Sequence, residues 1–213
     1  MIVFSEEEAS LNITHFLKNS TGPVLFTEGV SDEIILETAW KKLYGERERP
    51  FEIQQAFSCG FLSQMLARKE FYRNNRGRVF FGLYDFDDAY NSWNIKNGEK
   101  VVEIAEQGLV LKVPDIESYS MLLPVPADGP IRNQVINPDT GEHFKDNSRL
   151  SMELLFYGAP GTDANFEVDP TRPGDCKRFK GRKTRFAKRA IPRLPVEHFE
   201  CFRPLFEFVA SRI

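Results

Sequence analysis

The sequence predicts an α/β protein with a mostly parallel sheet flanked by helices and finished by a helical C-terminal extension. Three observations carry this. Short apolar runs at 23–27 (PVLFT), 51–57 and 78–84 (RVFFGLY) have the length and the Val, Phe and Tyr content of buried strands. The stretches between them repeat apolar residues at helical spacing, giving the order β-α-β-α-β. Turn formers punctuate the joins, and strands alternating with helices imply right-handed crossovers with a ligand site beyond the strands' carboxyl ends.

Taken in order, residues 1–20 read as an amphipathic lead-in helix, with Leu11, His15 and Lys18 at helical spacing and Asn19, Ser20 and Gly22 ending it. This helix is expected to cap one edge of the core. After the first strand, Ser31-Asp32-Glu33 opens a helix with acids in its first turn, Ile35, Ala39 and Leu43 follow at four-residue steps, and Gly45 ends it. A second strand at 51–57 leads to a helix over 60–75, with Phe61, Leu62, Met65 and Leu66 on one side, and then to the third strand. Further on, the pattern predicts a helix at 101–107, a strand at 119–125 ended by Pro124 and Pro126, and a loop or short hairpin over 127–149. Residues 150–157 (LSMELLFY) read as helix or strand, and 158–174 as a turn-rich loop. A final helix carrying Phe199, Phe202, Leu205, Phe206 and Val209 should pack back on the sheet.

Size and composition bound the function. A chain of 213 residues fits one domain with an elaboration: a lead-in at 1–22 and a main domain over 23–213. Its 19 phenylalanines imply an aromatic-rich core. No apolar run reaches membrane-spanning length, and the N-terminus lacks a basic region followed by an apolar stretch, so a cytoplasmic protein without a membrane partner is expected. Cys59, Cys176 and Cys201 are scattered and odd in number, which suggests neither a disulfide framework nor a zinc knuckle.

Charge is unevenly spread. Between Thr171 and Arg193 stand ten basic residues against one acid, Asp175; this +9 segment in a chain of net charge −3 leaves −12 for the rest. An acidic body with one basic strip is the asymmetry expected when a polyanion must approach a negatively charged site. A solvated charged loop or a localisation tag would show the same composition.

Two acidic motifs fall where the sheet pattern puts strand ends. Glu28-Gly29-Val30-Ser31-Asp32 follows the first strand, and Asp85-Phe86-Asp87-Asp88 ends the third. Alternation sends Asp85 and Asp87 to one side, and an adjacent parallel strand would bring Glu28 close to them. Taken one at a time, each acid has an ordinary structural use: Asp32 suits a helix start, Glu28 a loop and the aspartates a turn. Gathered together without a cation, such carboxylates repel or protonate; a divalent ion removes the conflict, and an all-oxygen site suits Mg²⁺ or Mn²⁺. His15, His143 and His198 are scattered and offer no softer ligand set.

These residues resemble the TOPRIM family, whose signature is a glutamate-glycine pair after the first strand and a DxD after a later one: here Glu28-Gly29 and Asp85-Phe86-Asp87. The form EGVSD is similar to the variant in OLD-type (overcoming lysogenization defect) nucleases and in stand-alone TOPRIM-like proteins linked to bacterial phage defence. MLLPVP at 121–126, LSMELLF at 150–156 and FKGRKTRFAK at 179–188 resemble their later landmarks, so the likeness runs from about Val24 to Val209. It implies a Rossmann-like TOPRIM nuclease domain over 23–213, with the basic segment at 171–193 and a closing helix. It also implies two-metal hydrolysis of DNA, in phage defence or DNA processing, with Glu28, Asp32, Asp85, Asp87 and Glu153 as ligands of two Mg²⁺ or Mn²⁺ ions. Lys183 would touch the reacting phosphate, and Asp88 would stand behind the ligands or replace one. Glu117 competes with Glu153, and Lys180 with Lys183. In the basic strip, Lys180, Arg182, Arg185, Lys188 and Arg189 would hold backbone phosphates. RNA cleavage, nucleotidyl transfer and a non-catalytic module that binds nucleic acid or a partner are the competing readings. No GxxxxGK[ST] phosphate loop is present, so the ATPase that often accompanies OLD-type nucleases would come from a partner or sensor protein or be dispensed with. A homo-oligomer is also left open.

Overall fold

The computed structural model describes residues 6–171 and 175–213; the start of the lead-in helix (1–5), the end of the turn-rich loop (172–174) and with it Arg172 of the basic strip lie outside the described residues. Six strands form one mixed sheet: β1 (Val24–Thr27), β2 (Glu52–Gln55), β3 (Phe80–Tyr84), β4 (Glu99–Val102), β5 (Val110–Lys112) and β6 (Tyr119–Leu122), in spatial order β2-β1-β3-β6-β5-β4. β1 runs parallel to β2 and β3, and β3 parallel to β6, whereas β5 and β4 continue the sheet antiparallel. Every residue of β1, β3 and β6 is buried, as in strands covered on both faces. Around the sheet lie α1 (Glu6–Asn19), α2 (Val30–Tyr44), α3 (Cys59–Ala67), α4 (Lys69–Asn74), α5 (Tyr90–Trp93), α6 (Gly129–Arg132), α7 (Lys183–Arg189) and α8 (Arg203–Ala210). A separate antiparallel hairpin pairs β7 (Phe166–Val168) with β8 (Lys177–Phe179).

The fold class expected from the sequence holds at this level: α/β, mostly parallel, with a C-terminal helix. Several local expectations do not. In α1 the buried residues are Ala9 and Ile13, while Leu11 is 64% exposed. The Leu11, His15 and Lys18 row carries one apolar side chain, whereas the opposite side offers Ile13, Phe16 and Leu17 to the core. The helix expected over 60–75 breaks at Arg68 into α3 and α4, and α4 brings Phe71 to 4.6 Å from the Phe80 ring.

The expected 101–107 helix is instead the end of β4 followed by a 3-10 turn at Ala105–Gln107. β-branched Val101 and Val102 favour the strand, and β5 pairs with it. Gly108 makes the return between them at φ 81°, and a Cβ there would stand 2.7 Å from the Leu122 carbonyl. Region 127–149 holds the short α6 and an Ile136–His143 bridge, close to the short hairpin expected. Residues 150–157 form neither helix nor strand of any length: Leu150 bridges to Phe86, and a 3-10 turn follows at Met152–Phe156. The turn-rich loop contains β7, and the basic strip is β8 plus α7 rather than open loop.

Expected as one helix, the C-terminal segment is a 3-10 stretch (Val196–Phe202) running into α8, whose first turn accommodates a proline. Phe199, Phe202, Leu205, Phe206 and Val209 are fully buried, and Phe206 meets Trp40 of α2 edge-on at 5.3 Å. Burying five such side chains contributes about 1.5–3 kcal/mol each, so this segment closes the core rather than hanging from it. No helix among the described residues is long and apolar enough to cross a membrane.

Candidate metal centre

The register of the parallel strands builds the site. β1 and β3 align Phe26 with Gly82, so the residues that follow, Glu28 and Asp85, leave the sheet side by side. Glu28 reaches across, and its Oε1 accepts a hydrogen bond from the Asp85 backbone N–H at 2.8 Å. Asp32 sits in the first turn of α2 and folds back on the loop: its Oδ2 accepts from Gly29 N–H at 2.9 Å and its Oδ1 from the Ser31 hydroxyl at 3.4 Å. The helix-start role of Asp32 and its place in an acidic cluster are therefore the same geometry.

Asp85 is tied to the far part of the chain. Phe86 and Leu150 exchange both backbone hydrogen bonds, at 2.8 and 3.0 Å, and Asp85 Oδ1 accepts from Met152 N–H at 3.0 Å. That bridge carries the 3-10 turn with Glu153 to the end of β3. Glu153 is 0% exposed, and neither of its carboxylate oxygens accepts a hydrogen bond among the described residues. Lys183, at the start of α7, stands with Nζ 3.0 Å from Glu153 Oε2, an ion-pair distance without hydrogen-bond angles, and 4.0 Å from Asp85 Oδ2. Asp87 Oδ1 caps the next turn by accepting from Ala89 N–H at 2.9 Å, and Asp88 is exposed beside it.

The electrostatics follow from this crowding. Burial, then the charges of Asp32 and Asp87, push Glu28 up to about 8 against the lowering pull of the Asp85 N–H and Lys183. Burial and Glu153 push Asp32 up to about 7, and burial and Asp88 push Asp87 up to about 6 despite the Ala89 N–H. Asp85 is raised well above the carboxylate range by burial and then by Glu28 and Asp32. Burial opposes the charge on Lys183, but Asp85, Glu153 and Asp32 outweigh it and raise its pKa.

Five carboxylates thus share one ammonium. They do not close into a cage: no three of the described acidic, histidine or cysteine side chains form a ready metal-ligating group. Among the described residues Lys183 is the one countercharge within ion-pair distance of them. The residues nonetheless fit a divalent ion. Glu153 is a buried carboxylate left without a hydrogen-bond donor, and the donor set is hard oxygen, the kind that Mg²⁺ and Mn²⁺ take.

The structure separates the competitors. Glu117 precedes β6, which runs parallel to β3, so it lies at the opposite end of the sheet from Asp85; there it is exposed and pairs with Lys112 and the Tyr119 hydroxyl. Lys180 lies 3.2 Å from Glu167 on the hairpin. Arg182, Arg185 and Arg189 line a cleft on a different side of α7 from Lys183, and Lys188 is exposed outside that lining. Two parts of the site carry no residue-type signal in the sequence: the backbone N–H groups of Met152 and Ala89 that fix Asp85 and Asp87. Arg193, which lines the same cleft, is visible in the sequence only as one charge among ten.

Fold and site together define an α/β protein with a mostly parallel sheet, carrying five carboxylates and one lysine beyond the carboxyl ends of β1 and β3. No family model, no curated protein and no solved structure matches the chain.

Proposed function

We propose that this protein is a TOPRIM-type, divalent-metal-dependent nuclease that hydrolyses DNA phosphodiester bonds. The observation that carries the reading is Glu153: a fully buried carboxylate with no hydrogen bond among the described residues, brought by the Phe86–Leu150 bridge to a point already crowded with acid. Lys183, 3.0 Å from one Glu153 oxygen, is one countercharge for a cluster of five carboxylates, which leaves an excess of negative charge for a further cation to offset.

Glu28, Asp32, Asp85, Asp87 and Glu153 are the residues that would hold Mg²⁺ or Mn²⁺. Bound there, such ions supply a hydroxide nucleophile near neutral pH and neutralise the leaving oxygen. The chain's own part is positioning. The Met152 N–H orients one Asp85 oxygen and the Asp85 N–H one Glu28 oxygen, leaving each of these a second oxygen to direct, while the Gly29 N–H and the Ser31 hydroxyl hold the two oxygens of Asp32. Among the described residues Lys183 is the one cationic side chain within ion-pair distance of the cluster, so it is the group that would offset charge on a non-bridging phosphate oxygen during transfer.

Incubating the purified protein with plasmid DNA and with RNA, in Mg²⁺, Mn²⁺ or EDTA, tests this. Nicking or linearisation that needs the metal and disappears in Asp85→Asn supports the reading. Cleavage of RNA alone moves the substrate to RNA, and metal-independent or Asp85-independent cleavage overturns the site.

A further inference from the structure

Among the described residues, four arginines on or beside α7 have no side-chain partner. Arg182, Arg185, Arg189 and Arg193 make no ion pair and no side-chain hydrogen bond among the described residues, although the chain pairs Arg49, Arg132, Arg178 and Arg203 with carboxylates. All four line one cleft of about 850 Å³, together with Lys180, and no acidic residue contributes to its wall. Its other side is the loop through Pro160 and Asn165.

Arg182 is the extended residue just before α7, and Arg185 and Arg189 follow four residues apart on one face of the helix. From Arg185 to Arg189 the helix rises about 6 Å, close to the two steps of roughly 3.4 Å that separate three successive phosphates of one stacked strand. Lys183 lies between the first two in sequence but turns the other way, into the carboxylates. The Arg182 part of the cleft is therefore next in the chain to the lysine that faces the carboxylates.

We propose that this cleft is a phosphate track for a single polynucleotide strand flanking the scissile bond. The strand's identity rests on the nuclease reading above; the anion specificity rests on the cleft alone. Its size is that of a small-ligand pocket, about 300–1,000 Å³, enough for a few nucleotides of one strand. A duplex, whose major groove alone is about 12 Å wide, would ride on the rim. Phe186 in the wall is buried to 3% exposure, so the cleft offers bases no open aromatic face, and the contacts are to phosphates without regard to sequence.

Fluorescence anisotropy in EDTA, where no hydrolysis is expected, measures the track directly. The probes are labelled single strands of about 6 and about 20 nucleotides and a blunt duplex of about 20 base pairs, each titrated across salt. The wild type should bind the longer strand most tightly, and R182A/R185A/R189A should flatten the log–log salt slope by about 2, three lost contacts at roughly 0.7 each. R47A/R68A/R76A removes three exposed arginines that are equally unpaired but lie elsewhere, and should leave the slope within about 0.5 of wild type. Equal loss in both triple variants, or no loss in the first, overturns the track; duplex binding as tight as single-strand binding with the same arginine dependence overturns its single-strand form. The nuclease reading fails separately. A protein that binds strands through these arginines yet cleaves nothing keeps the track and loses the nuclease, while one that cleaves normally with an unchanged slope does the reverse.

Discussion

Lys183→Ala removes from a cluster of five carboxylates the ammonium that pairs with them among the described residues, and its effect should depend on what else is in solution. In the metal-free protein Glu153 has no hydrogen bond and Lys183 Nζ at 3.0 Å as its countercharge. Stripping one partner from a buried pair costs about 3–5 kcal/mol. The lysine side chain is half exposed, so water relieves part of that and about 2 kcal/mol remains. For a chain of this size, that lowers Tm by about 4–8 °C. Differential scanning fluorimetry at pH 8 in EDTA should show this fall. A divalent ion at about 100 times its Kd contributes about 2.7 kcal/mol and replaces the missing charge, so Mn²⁺ should recover most of the loss. At pH 5.5 the deficit should also shrink, because protonation of the neighbouring carboxylates removes the charge that Lys183 offsets. Cleavage should stay lost in Mn²⁺ even as the fold recovers, since the lysine's role toward the phosphate has no substitute. An equal Tm fall with and without Mn²⁺, at both pH values, would mean that Lys183 contributes only its packed stem, and the charge-balance reasoning would be refuted.

Three further outcomes are expected. Asp85→Asn and Asp87→Asn should each lower metal-dependent cleavage by at least about 10²–10³-fold without lowering Tm, because asparagine keeps the acceptor for the Met152 or Ala89 N–H while removing a repelling charge; unfolding of either variant would point to a structural role. In wild-type protein without metal, Glu28, Asp32 and Asp87 stand at about 8, 7 and 6, above their unfolded values, so the folded state binds the extra protons. Stability in EDTA should therefore fall as pH rises from about 5.5 to about 8, and Mn²⁺ should flatten the profile; a Tm that climbs over that range in EDTA would contradict the raised values. Glu117→Ala should leave cleavage and metal-induced stabilisation unchanged and cost under about 1 kcal/mol, as for an exposed ion pair; an inactive Glu117→Ala with an active Glu153→Ala would reverse the assignment.

Much of this was decided locally. The runs at 23–27 and 78–84 are too apolar and too short to be anything but buried strands, and the acids at their ends leave the sheet where parallel strands stop, so Glu28, Asp85 and Asp87 were legible as a group from pattern alone. Asp32 was legible too, because a carboxylate three residues after Gly29 is what the start of α2 needs. The concentration of basic residues in 171–193 was plain from composition.

What the tertiary structure decided lies in contacts between distant residues. Glu117 and Glu153 both follow apolar or turn-rich segments, and spacing cannot rank them; the parallel pairing of β3 with β6 sends Glu117 to the end of the sheet away from Asp85, while the Phe86–Leu150 bridge brings Glu153 to Asp85. Lys180 and Lys183 are three residues apart in one charged run. Only the end of β8 and the start of α7 between them turn one toward Glu167 and the other toward Asp85. The helix expected at 101–107 failed for the same reason, because a strand partner at 110–112 outweighs a weak local periodicity. Local sequence sets strands, turns and the chemistry at their ends, whereas long-range backbone hydrogen bonds and packing choose which of several equivalent side chains arrives there.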